Sequence, residues 1–102
     1  MDLLTYRASL LKFEHRGLVL DITSAYLQDI YRPEQGRVVY LEILENIHLH
    51  IKLFKSLPPI GMEIKYNEHM PTVKITNIEF SKKYEYILFN ISKSDNHERK
   101  DN

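Results

Sequence analysis

Val39, Leu41, Ile43, Ile47, Leu49, Ile51 and Leu53 all occupy odd positions, and only Glu45 interrupts the row. Between them stand Tyr40, Glu42, Asn46, His48, His50 and Lys52. A period of two is the pattern of a half-buried strand, because successive side chains leave a pleated backbone on opposite faces. Wound as a helix, the same apolar residues would spread around the whole circumference. The row therefore predicts strand over 38–54 and argues against a long helix, although Leu and Glu are good helix formers. The segment is too long for one ordinary strand and reads as a hairpin. A loop at Leu44-Glu45-Asn46 keeps the apolar face intact by pairing Ile43 with Ile47, Leu41 with Leu49 and Val39 with Ile51. That register sets Glu42 opposite His48 and Tyr40 opposite His50.

The flanking sequence supplies further short elements. Leu3 to Phe13 is tolerant of strand, and Glu14-His15-Arg16-Gly17 reads as a turn in which Gly17 can take a positive φ. Leu18 to Ile22 is a second strand. Thr23 or Ser24 caps a short helix from Ala25 to Tyr31, which Pro33 and Gly36 end. Ile60 to Tyr66 alternates as a strand. Val73 to Phe80 and Tyr84 to Ser92 form a closing hairpin around Ser81-Lys82-Lys83. Tyr86, Ile87, Leu88, Phe89 and Ile91 load both faces, as a central strand would. The expected fold is all-β: a six- to seven-stranded antiparallel small barrel or sandwich with at most one short helix. If 38–54 is helical instead, the class becomes α+β. The ordered domain is expected over 1–93, with a mobile polar tail over 94–102.

Composition narrows the function classes. The chain has 102 residues, 14 basic and 14 acidic side chains and a formal net charge of zero. Neutrality removes the basic field that draws in nucleic acid and weakens self-repulsion, which favours association. The absence of Cys excludes a disulfide framework and a thiolate metal site, and fits a reducing, cytoplasmic setting. Apolar runs are too short for a membrane span, so no membrane partner is expected.

The stretch Ile75-Thr76-Asn77-Ile78-Glu79-Phe80-Ser81, continued by Tyr84 to Asp95, resembles the β-rich N-terminal part of uncharacterised prophage and anti-phage-defence proteins. The resemblance covers the last quarter of the chain. It implies a phage-related context and a polar end that leads into a further domain. It implies no activity and no functional residues.

Three constellations carry chemistry. On a strand, His48 and His50 project to one side with Glu42 beside them, a first shell for Zn²⁺ in a metal-dependent hydrolase; His69 or Glu68 could add a ligand. Glu14, His15 and Arg16 offer a base, an acid and a cation for phosphodiester cleavage, but consecutive turn residues point apart. Tyr84 and Tyr86 share a strand face near Lys82 and Lys83, the makings of a stacking platform for a small nucleic-acid-binding barrel. There is no Gly-rich phosphate loop and no nucleophile elbow. A non-enzymatic interaction or accessory domain, joined to a protein partner or to its own copies, ranks first. Its expected contact residues are Tyr40, Tyr84, Tyr86, Lys82 and Lys83. Nucleic-acid binding and the His48/His50 hydrolase are the alternatives, and no cofactor is expected.

Overall fold

The computed structural model describes residues 13–94. Its elements run β1 (Glu14–His15), β2 (Leu18–Ile22), α1 (Ala25–Ile30), α2 (Pro33–Phe54), β3 (Glu63–Ile64), β4 (Val73–Ser81) and β5 (Tyr86–Lys93). The five strands form one curled sheet in the order β1-β2-β5-β4-β3. β2 and β5 are parallel, and the other neighbours are antiparallel. The all-β expectation is thus wrong. The described residues form five strands, not six or seven, the sheet is mixed, and a 22-residue helix crosses its concave face.

The central correction is 38–54, which is helix throughout. The residues that α2 buries are Gly36, Val39, Tyr40, Ile43, Leu44, Ile47 and Ile51. Their spacing of three and four residues traces one stripe of a 3.6-residue turn. The odd row looked like a strand because it mixed stripe residues with outward ones: Leu49 is 48% exposed and Leu53 is 74% exposed. Tyr40 and Leu44, both even, complete the buried face.

Local chemistry supports the helix at both ends. Pro33 stands at its first turn, where a missing N–H costs nothing, so it starts α2 rather than ending α1. Glu34 in the first turn and Lys52 in the last complement the helix dipole. No Gly or Pro interrupts residues 37–54. Lys55 closes the helix in the left-handed region at φ 59°, and its N–H donates to the Ile51 carbonyl at 2.8 Å.

Other local expectations hold. Arg16 and Gly17 both take positive φ, 55° and 82°, which makes a two-residue turn pairing His15 with Leu18. Ser24 stands at the N-cap position of α1 without a side-chain capping bond to the backbone, and its Oγ accepts from Gln28 Nε2 at 2.9 Å. β5 is central, flanked by β2 and β4. Only Glu63–Ile64 of the expected 60–66 strand is strand. The expected strand before Phe13 and residues 95–102 of the tail expected over 94–102 lie outside the described residues; Ser94 itself is buried, and its N–H donates to the Thr72 carbonyl at 2.8 Å.

The core lies between α2 and the concave face, where Leu20, Ile22, Ile64, Val73, Ile75, Ile87, Phe89 and Ile91 meet the helix stripe. Full burial of each such side chain stabilises by about 1.5–3 kcal/mol. Asp21 is buried beside them. Its Oδ1 accepts from the Tyr40 hydroxyl at 2.6 Å and from the Ile22 N–H at 2.7 Å, which ties α2 to β2.

Helix and hairpin predict different costs on this segment. Ile43→Ala and Ile47→Ala should each lose about 2–5 kcal/mol in urea unfolding. Leu49→Ala and Leu53→Ala should stay within about 0.5 kcal/mol of the parent. Equal losses at Ile43 and Leu49 would restore the strand.

Candidate functional site

Because β2 and β5 run parallel, the turns that precede them fall at the same end of the sheet. One is Arg16-Gly17; the other spans Lys82–Glu85. The two are joined where the Val19 N–H donates to the Glu85 carbonyl at 2.8 Å. The chain leaving α2 arrives at the same place, since Lys55, Ser56 and Leu57 share a groove with both neighbourhoods.

That groove has a volume of about 450 Å³ and is lined by His15, Arg16, Leu18, Lys55, Ser56, Leu57, Phe80 and Ile87. Alternation fixes its floor. Leu18 shares a strand face with Leu20 and Ile22, and Ile87 shares one with Phe89, so both belong to the concave side. Phe80 pairs with Ile87 across β4 and β5 and stands on the same side. The helix ends before it can cover this last position, so Phe80 remains 61% exposed. The floor is apolar and the rim is basic.

Around the hairpin tip, Tyr84 is 63% exposed and its ring lies nearly parallel to that of Tyr86, with centroids 6.4 Å apart and planes 13° apart. Lys83 Nζ sits 5.3 Å from the Tyr84 ring centroid, within cation–π range. The Tyr84 N–H donates to Ser81 Oγ at 3.1 Å and holds the turn. Lys82 is exposed alongside. The fold therefore gathers four of the expected contact residues, Lys82, Lys83, Tyr84 and Tyr86, at one tip. Arg16 and Lys55 add further bases, against the acids Glu14 and Glu85, so a neutral chain has a basic end.

Tyr40 does not join them. It is fully buried and its hydroxyl is bonded to Asp21, so it belongs to the core. The His48, His50 and Glu42 constellation also comes apart. Two residues along a helix is a turn of roughly 200°, so the imidazoles leave on nearly opposite sides. The His48 ring meets Phe13 edge-on at 5.5 Å, and the His50 ring lies 4.6 Å from that of Phe54. Asn46 Nδ2 donates to the Glu42 carbonyl within the helix. No three His, Cys, Asp or Glu side chains among the described residues are grouped to hold a metal ion. Of the Glu14-His15-Arg16 turn, His15 and Arg16 line the groove, while Glu14 is exposed.

The sequence reading missed Leu18, Lys55, Leu57 and Phe80 as site residues. The sequence places Phe80 in the right strand, but its exposure depends on where α2 stops, which a hairpin over 38–54 hides.

A separate cluster joins α1 to the loop after β3. The Tyr31 and Tyr66 hydroxyls are 2.6 Å apart. Burial pushes the Tyr66 phenol far up from its ordinary value, with the bond to Tyr31 adding to the effect. Burial also raises Tyr26, with neighbouring Tyr31 contributing. The Tyr31–Tyr66 contact fastens the end of α1 to the loop after β3.

Comparison of the chain with protein-family models, with curated proteins and with solved structures finds no match.

The raised phenols make a signed prediction. A neutral-form group whose folded pKa lies above its unfolded value stabilises fully below the unfolded value, near 10 for Tyr. That stability is lost as pH rises past it towards the folded pKa. Urea midpoints should therefore fall above about pH 10, and Tyr31→Phe should flatten the fall. A midpoint that rises with alkali would contradict the assignment.

Proposed function

We propose that this protein is a non-catalytic interaction module that associates with protein through the turn end of its sheet. One observation carries the reading: an apolar groove and two exposed aromatics, Phe80 and Tyr84, share one end of the fold with Arg16, Lys55, Lys82 and Lys83. Large exposed apolar side chains set among bases are the composition of a contact surface, with aromatic anchors and a polar rim. No helix among the described residues is long and apolar enough to cross a membrane. The lack of Cys supports a cytoplasmic setting. We further propose a phage–host context, in which such a module would cap the active surface of a partner.

A specific observation favours a second reading. Lys83 over the Tyr84 ring, with Tyr86 parallel to it, is a small stacking platform with a cation, suited to single-stranded nucleic acid.

Photo-crosslinking separates the two. A benzoylphenylalanine at Phe80 should give one discrete protein adduct in the host cell, either with a larger partner or with the chain itself. The same group at Ile30, on α1, should give none. Oligonucleotide anisotropy should show no binding. Tight oligonucleotide binding with a steep salt slope, lost on Lys82→Ala/Lys83→Ala, would replace this reading with the second.

A further inference from the structure

Past β3, no strand among the described residues pairs with the outer edge of β4. β3 pairs only with Val73 and Lys74. The last backbone bonds on that side are Gly61 N–H to the Ile75 carbonyl at 2.7 Å and Ile75 N–H to the Met62 carbonyl at 3.0 Å. Among the described residues, no strand pairs with that edge from Asn77 to Ser81, although the other edge pairs with β5 as far as Ser81. Unpaired strand edges are templates for another strand, and proteins commonly guard them with an inward-pointing charge. This stretch has none. Its concave side carries Ile78, which packs on the core, and Phe80, which is left to water.

We propose that this edge is taken by the same edge of a second copy, the two β4 strands running antiparallel about a two-fold axis at Phe80. The proposal rests on the reading that this end of the sheet is where the protein associates, and it names the partner. A two-fold axis normal to the sheet keeps concave face with concave face, so one residue must stand opposite its own twin. An axis at Ile78 would carry the pairing back to Ile75, whose outward groups are already bonded. An axis at Glu79 would set two carboxylates face to face, which destabilises a sheet. An axis at Phe80 sets the two exposed rings together over the groove mouths. It also places Glu79 opposite Ser81 of the second copy, so no carboxylate faces another. A formal net charge of zero sets no overall repulsion between copies, and salt screens the bases that the two turn ends bring together.

Light scattering on the full chain across a concentration series tests it. The mass should rise from one chain to two, and Phe80→Lys should hold it at one while keeping the parent circular dichroism. Register is read by disulfides, since the chain has no cysteine of its own. A mixture of Glu79→Cys and Ser81→Cys chains should cross-link under mild oxidant, and neither alone should. A monomer at every concentration overturns the proposal. So does a dimer that survives Phe80→Lys, or one without the mixed disulfide. Those results leave the wider interaction reading to the crosslink from position 80, so the two can fail separately.

Discussion

The apolar stripe of α2 against the concave sheet is the contact on which everything else depends. Val39, Tyr40, Ile43, Leu44, Ile47 and Ile51 are buried there against β2, β4 and β5. A sheet of five strands, two of them only two residues long, has little to hold it alone. The helix supplies the second layer that a curled sheet needs to bury one face. The Tyr40–Asp21 bond adds direction to this packing, because a buried carboxylate must be met by donors and therefore fixes the azimuth of α2 over β2.

The same contact produces the candidate site by where it stops. α2 ends at Phe54 and the chain turns away through Lys55, Ser56 and Leu57. The sheet continues past that point, so Leu18, Ile87 and Phe80 form a floor without a helix above it. The parallel pairing of β2 with β5 brings both preceding turns to this end and, with them, most of the bases around it. A structural shortfall, a helix shorter than its sheet, thus becomes an open apolar groove with a basic rim.

Elements decided within a few residues could be read from sequence. Arg16-Gly17, strand Leu18–Ile22, the Ser24 N-cap position and the hairpin from Val73 to Lys93 are of this kind. The Lys82, Lys83, Tyr84 and Tyr86 cluster was readable for the same reason, since one hairpin contains all four. α2 was not. Its apolar residues satisfy a period of two as well as one of 3.6, and only burial shows that Leu49 and Leu53 point outward. Pro33 and the run without Gly or Pro over 37–54 were the local signals on the helix side. The parallel β2–β5 pairing joins residues far apart in sequence, and no local pattern announces it. The groove depends on that pairing and on the end of α2, so Lys55, Leu57 and Phe80 could not be assembled from the chain alone.

Residue-resolved amide exchange reads the core held by α2 and the proposed association edge on β4 in one experiment. The central stripe, Val39 to Ile51, should exchange slowly at every protein concentration, as global unfolding alone would open it. The N–H groups of Asn77 to Ser81 that point away from β5 should exchange faster in dilute than in concentrated solution, because a second copy covers that edge only when it is bound. Rapid exchange across Val39–Ile51, or outward edge amides whose rates ignore concentration, would contradict this arrangement.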